Sequence, residues 1–446
     1  MEQLYLETQQ GDLSNDKVKR VLVVLCLLTI SLFSCPLFGS CSEKELVADI
    51  PSSGARNAIK RAYQMVDVCF TPLNNFTANP NKKYFRGNKY QGLIYSNVEE
   101  LQTYIGTDVS VHTYMTAIHN PKSVIYTENI KKPPYHGIKH CGAYYGTICS
   151  SFVAYALDLK ILKFCYEYPT TKCFQLVNDQ SSRGVRLADV IHSKGHVMLV
   201  TGIKRDSLSG KAAEIEICES ALIGCRRKTI TGNKLESMIS DGRRLYRYKY
   251  LDSVKYKPLT DFVALDGEQL SSFKYNNDIC TSRGDRTCYI VGDIVVLNIT
   301  EGFKLLEVYK DSILYKKFRV DNAKDIKLKD LPYGDYKARV VDGHRNSDFT
   351  SWKVIDVNVE VDTVTKHVKF HSANATPIYL DFVTLTGVRP PEALFELTED
   401  DIKNGFLDVS SYKPYKKWKE KGLFVRIHFE CEYGKVMNKP IQWFFI

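Results

Sequence analysis

The 446-residue chain has no apolar run long enough to make a confident membrane span. The stretch Val21 to Phe33, broken by Thr29 and Ser31, falls short of the roughly 20 residues a bilayer-crossing helix requires. Clustered charge is missing too. The formal net charge is +10, but Lys and Arg are spread along the chain and form no stripe, so no nucleic-acid footprint is read. Such a mild excess favours a solvated surface over attraction to anionic cell-wall polymers or membranes. The chain has no low-complexity linker and no convincing repeat between its C-terminal segments. Tryptophan is scarce: Trp352, Trp418 and Trp443 are the three present, and core packing is favoured over a glycan platform for them. A zinc-peptidase motif is absent as well. His136/His140 and His192/His196 have four-residue spacing, but Gly137 and Gly195 interrupt any helix there, and the required glutamate is missing. Neither a metal nor a cofactor is expected.

What is present centres on Cys149. It sits in Tyr144-Tyr145-Gly146-Thr147-Ile148-Cys149-Ser150-Ser151-Phe152-Val153-Ala154-Tyr155-Ala156-Leu157, where small and turn-forming residues give way to helical spacing of Phe152, Tyr155, Ala156 and Leu159. That places the cysteine at or near a helix N-terminus. Unpaired N–H groups and the helix dipole favour the thiolate there, and the same groups can receive an oxyanion. A nucleophilic thiol needs a base. His196 opens the apolar strand pattern His196-Val197-Met198-Leu199-Val200-Thr201, between Gly195 and Gly202. A polar group that orients the imidazole is expected on the next strand pattern, Ala213 to Ser220. There Ile215, Ile217 and Glu219 share a face by period two. Glu219 ends that apolar stripe, whereas Glu216 is expected to face solvent. The catalytic candidates are thus Cys149 as nucleophile, His196 as base and Glu219 as orienter.

The cysteine block, the Gly-His-Val-x-Leu-Val-Thr-Gly block and the polar strand end, in that order, resemble the NlpC family of papain-like cell-wall peptidases. The resemblance spans roughly the middle third of the chain. It implies an α+β papain-like catalytic domain, amide cleavage in peptidoglycan stem peptides or muropeptides, and no cofactor. Four features depart from the family pattern. Ile148 stands where the family has Asp, and Ser150-Ser151 where it has Ser-Gly. Glu219 stands where His, Asn or Gln is common. Gly92-Leu93-Ile94-Tyr95-Ser96, similar to the segment preceding the family's cysteine, lies unusually far upstream, implying an insertion near the site. Tyr95, Tyr144, Tyr145 and Ser150 are candidate substrate-binding groups, with no choice made among the tyrosines as oxyanion donor.

Lys17-Val18-Lys19-Arg20 followed by the short apolar run reads as a secretory signal. Either Cys35 or Cys41 is a candidate for lipidation, which would hold the protein at a membrane surface; simple cleavage is the alternative. An exported location permits disulfides. Of 13 cysteines, ten remain once Cys26, Cys35 and Cys41 are set aside. Cys165/Cys173, Cys218/Cys225 and Cys280/Cys288 are locally spaced pairs, with connectivity left open.

The expected organisation is a leader at 1–41, the papain-like domain at 42–255, an immunoglobulin-like β-sandwich at 256–362 and a β-rich unit at 363–446. The long segment before Cys149 is expected to wall the cleft, with its tyrosines as binding candidates. Two other functions stay open. One is a surface lipoprotein whose first domain binds without catalysis. The other is a cysteine hydrolase or acyltransferase acting outside peptidoglycan.

Overall fold

Short strands recur along the chain, and all but one of their ladders among the described residues are antiparallel. The computed structural model describes residues 46–98, 103–128, 142–256, 276, 278–320, 325–384, 388–420, 422–439 and 441–443. The proposed leader, Cys35, Cys41 and the His136/His140 pair lie outside them.

The first region is built on a seven-stranded sheet. Its strands are β1 (Leu46–Ala48), β2 (Phe174–Leu176), β3 (Val190–Ser193), β4 (His196–Asp206), β5 (Ala212–Ala221), β6 (Gly224–Thr231) and β7 (Arg244–Tyr248). The order is β6-β5-β4-β3-β7-β2, with β1 added along the far end of β4, and every pairing is antiparallel. Two tight hairpins set the register. Ser193 pairs with His196 across Lys194-Gly195. Ala221 pairs with Gly224 across Leu222-Ile223. Such two-residue loops fix which side chains face each other along the whole ladder.

Four helices matter to this region: α1 (Ser53–Asp67), α2 (Val111–Ile118), α3 (Cys149–Ala156) and α4 (Gly232–Ser240). Ser52, Ser110 and Thr231 cap α1, α2 and α4 by accepting backbone N–H bonds. Helix α3 packs against α1 and lies on β4 and β5. All eight of its residues are buried, so tertiary packing holds it, as expected for so short a helix.

The second region has two facing sheets. One contains Ile279–Thr281, Val295–Ile299 and Asp325–Leu328. The other contains Thr287–Ile290, Thr350–Ile355, Gly334–Val341, Leu305–Lys310 and Ile313–Arg319. Trp352 is fully buried between them and stacks on Tyr336 at 5.4 Å. The third region again has a three-stranded and a five-stranded sheet. Val357–Asp362 pairs with His367–Ser372, so this strand belongs to the third region and the junction falls near Asp356. Trp443 is buried in the third core and Trp418 packs against it.

The expectation of an α+β papain-like catalytic domain leading the chain is corrected here. Strand accounts for 42% of the structure and helix for 18%. Among the described residues only α1 is longer than nine residues. The physical reason lies in the pattern: strand-forming runs outnumber helical ones, and the helices among the described residues are mostly short.

The segment expected to wall a cleft forms short paired strands, Cys69–Phe70 with Tyr90–Gln91 and Phe76–Asn79 with Lys82–Tyr84. Several of the aromatics in these strands pack on each other. Tyr84 stacks on Phe76 at 4.9 Å and is buried. Cysteine pairing also differs from the local pairs. Cys288 bonds to Cys431, joining the second and third regions, while Cys165, Cys173, Cys218, Cys225 and Cys280 are free. Register explains one miss: Cys218 lies opposite Arg227, and Cys225 opposite Ser220. Cys288 is taken by Cys431, and Cys280 stays buried as a free thiol.

Candidate functional site

Gly92 to Ser96 reaches the cysteine block despite its distance along the chain. Tyr95 bridges Thr147 in parallel, Thr147 N–H donates to Ile94 O at 2.9 Å, and Ser96 N–H donates to Thr147 O at 3.3 Å. Gly146 makes this approach possible, since a Cβ there would lie 2.4 Å from Ser96 Cβ. From β5, the Ser220 hydroxyl donates to Thr147 O at 3.1 Å. The approach to the nucleophile is therefore held from two sides.

Cys149 is the first residue of α3 and is 7% exposed. Ser151 Oγ accepts from Ile148 N–H at 2.9 Å and donates to Ile148 O at 3.1 Å, closing the helix start. The cysteine therefore sits where the helix presents N–H groups without intrahelical partners.

His196 opens β4. Leu199 pairs with Cys218, so one step along the ladder Met198 lies opposite Glu219. His196, two residues from Met198, is then the diagonal neighbour of Glu219 on the same face. The two meet, with His196 Nε2 to Glu219 Oε2 at 2.7 Å. Glu219 is buried at 1% exposure. Its other oxygen accepts from Arg226 Nε at 2.9 Å and Lys228 Nζ at 2.7 Å, both on β6. Burial favours the neutral acid, but the bonds from His196, Lys228 and Arg226 outweigh it and hold the carboxyl at about 2.

Burial also disfavours the imidazolium. Hydrogen bonds to Cys149 and Glu219 overcome that and raise His196 to about 9. The Cys149 thiol is held well below its ordinary range. The chief cause is a hydrogen bond from Cys165, opposed by burial and then reinforced by the bond and charge of His196 and by Val197 N–H. The two shifts point the same way, each group favouring the charged form of the other.

Cys165 was not singled out for this site from the sequence. Its Sγ lies 3.3 Å from Cys149 Sγ and 3.2 Å from Ser150 Oγ. His192 Nε2 donates to Cys165 O at 2.7 Å. Two residues on, Glu167 is gripped by Arg389 of the third region, at 3.0 Å from Nε and 2.6 Å from Nη2. Arg389 also donates to Leu162 O at 2.9 Å. Nothing near Cys165 in the sequence signals these ties. Arg226 and Lys228 were not singled out either; they reach Glu219 because Ala221 pairs with Gly224, which sets Arg226 opposite Glu219.

The proposed substrate groups separate. Ser150 is buried at 1% exposure and its hydroxyl contacts Cys165. Tyr95 borders the small apolar cluster that contains Ile148. Tyr145 is fully buried, and its hydroxyl donates to Arg283 O in the second region. Tyr144 and Tyr145 line a cavity of about 340 Å³ with Arg283, Tyr289 and Lys435, and Cys149 is not among its lining residues. Glu216, expected at the solvent face, is half-buried and accepts from Tyr63 Oη at 2.7 Å and Thr201 Oγ1 at 2.8 Å.

No family model and no curated protein matches the chain. Among solved structures it is similar to the fibronectin(III)-like modules of Clostridium thermocellum CbhA, at 10% identity over 37% of this chain and 93% of that one, with a TM-score of 0.18. It is similar to the human OSCAR ligand-binding domain at 10% identity over 37% and 94%, with a TM-score of 0.16. It is also similar to the strand-swapped dimer of mouse leukocyte-associated immunoglobulin-like receptor 1 extracellular domain, at 14% identity over 15% and 85%, with a TM-score of 0.13. Likenesses this slight say nothing about what the chain does.

Proposed function

We propose that this chain is an exported, thiol-dependent amidohydrolase acting on peptide amides, with peptidoglycan stem peptides as the substrate class. The observation that carries the reading is Cys149 at the start of α3, its thiol lowered in part by His196, whose Nε2 lies 2.7 Å from a buried Glu219 that two cations also hold. A purely structural cysteine needs no such arrangement. The substrate class rests on the sequence resemblance to the NlpC family, and the export reading on the N-terminal segment with Cys35 or Cys41 as an anchor.

In the proposed reaction the Cys149 thiolate attacks the carbonyl carbon and forms a tetrahedral oxyanion. Backbone N–H groups at the start of α3 stabilise the oxyanion. His196, already an imidazolium, protonates the leaving amine, and an acyl-enzyme remains. Neutral His196 then takes a proton from water, which attacks the thioester and restores the ion pair. Glu219 keeps the imidazole oriented and favours its charged form throughout. It acts through His196 and touches no reacting atom.

A second reading has one observation in its favour. The second and third regions are built on separate β-sheets and joined by the Cys288–Cys431 bond, a build suited to presenting a surface. In that reading the chain binds a wall or surface partner without cleaving it. The test is incubation of the parent and Cys149→Ala with defined stem peptides and muropeptides, followed by mass spectrometry. Product from the parent alone supports the hydrolase and locates the bond. Retention on muropeptides without product, from protein whose Cys149 is reduced and alkylatable, overturns it in favour of binding.

A further inference from the structure

We infer that Cys165 is a resolving thiol for Cys149, so that the two form a reversible disulfide that switches the site off. The inference deepens the hydrolase reading and rests on its reactive Cys149. It stands on placement. The two sulfurs are 3.3 Å apart and need approach by little more than about 1 Å to reach bonding distance, roughly 2.05 Å. No other free cysteine among the described residues is recorded in contact with Cys149.

Cys165 is not a thiol that happens to swing past. Its carbonyl is fixed by His192, its sulfur touches Ser150 Oγ, and the turn that follows it is clamped through Glu167 by Arg389. Phe164 N–H donates to Glu167 Oε2 at 2.7 Å, so the same carboxylate closes the start of that turn. The pair is therefore aligned before any oxidation. Cys149 and Cys165 are 7% and 8% exposed, which admits a small oxidant more readily than a protein partner.

The oxidant class is a hydroperoxide. The Cys149 thiolate attacks the distal peroxide oxygen, the O–O bond breaks, and the alcohol or water formed takes up a proton. Cys149 becomes a sulfenic acid. Cys165 then gives up its proton and attacks Cys149 Sγ, the S–O bond breaks, and water leaves. Two thiols have lost two electrons to one peroxide. A low-pKa thiolate beside a resolving cysteine is the arrangement that stops oxidation at a reversible stage. A dithiol reductant returns both thiols.

The test uses the full mature chain. Reduced protein is first treated with iodoacetamide to establish that Cys149 is alkylated. Fresh protein is then exposed to stoichiometric hydrogen peroxide, digested without reductant and mapped by mass spectrometry. The expected result is a peptide pair joined through Cys149 and Cys165, with two hydrogens lost. Alkylation of Cys149 should be fully lost, then fully restored by dithiothreitol. In Cys165→Ser and Cys165→Ala, peroxide should instead give a dimedone-trappable Cys149 that progresses to a sulfinic acid dithiothreitol does not reverse. An alkylatable Cys149 that over-oxidises in the parent without any cross-link overturns the pairing and leaves the hydrolase reading intact. A Cys149 that never alkylates in folded, reduced protein overturns both.

Discussion

Glu219→Gln removes one charge from the centre of the site and keeps the side chain's size. Glu219 accepts from His196 on one oxygen and from Arg226 and Lys228 on the other. Its carboxylate and the Cys149 thiolate together raise His196 from its ordinary range to about 9, in spite of burial. A rise of that size corresponds to about 3 kcal/mol of preference for the imidazolium. If Glu219 supplies half, its loss lowers that preference by about 1.5 kcal/mol, or about one pH unit. Arg226 and Lys228 then face the imidazolium without the anion between them, which pushes the same way. A less stable imidazolium stabilises the thiolate less, so the Cys149 midpoint moves up. The assay is the rate of iodoacetamide alkylation of Cys149 against pH, read by mass spectrometry. The parent should stay reactive well below the ordinary thiol range. Glu219→Gln should shift the midpoint upward by about one unit or more, with roughly tenfold slower alkylation at acid pH. A parent whose midpoint lies at the ordinary thiol value, or a variant whose curve superimposes on the parent's, would refute the ion pair.

Three further outcomes are expected. Glu219 is held at about 2 in the folded protein, against about 4.5 for a free glutamate, so the stability it contributes is present above pH 4.5 and is lost as pH falls toward 2. Urea midpoints of the parent should therefore fall across that window, and those of Glu219→Gln should fall less. Asp381→Asn should cost about 3–5 kcal/mol in urea unfolding, because it removes the buried carboxylate charge that faces both Arg426 and Arg389. A loss under 1 kcal/mol would mean those cations find other partners. Gly146→Ala should cost about 1–3 kcal/mol and slow Cys149 alkylation, since the new methyl meets Ser96 Cβ and Ser96 O; unchanged melting and unchanged reactivity together would count against the close approach.

Much of the candidate site was legible because its geometry is local. Cys149 follows a small-residue approach and precedes a helical pattern, so its place at the start of α3 follows from spacing alone. Parity on β5 put Glu219 at the end of the Ile215 and Ile217 stripe, and those residues are buried together. The same reasoning failed for Glu216, whose alternate face is covered by Tyr63 from α1. Motif resemblance misled on fold class, because a motif resemblance over the middle third says nothing about how the rest of the chain pairs. The tyrosines of the long segment were read as cleft-lining; period and composition do not distinguish a ring that faces a ligand from one stacked in a core, as Tyr84 is.

By itself the sequence determined the short-range features: the helical pattern that Cys149 opens, the strand that His196 opens after Gly195, and the apolar stripe that Glu219 ends. Each depends on neighbours within a few residues, where backbone sterics and period restrict the choices. Tertiary structure alone decided that Cys165 meets Cys149, that Arg389 reaches Glu167 across 222 positions, and that Cys288 bonds Cys431 rather than Cys280. Those pairings depend on how sheets stack and where the chain reverses, and no local pattern encodes a contact whose partners lie that far apart.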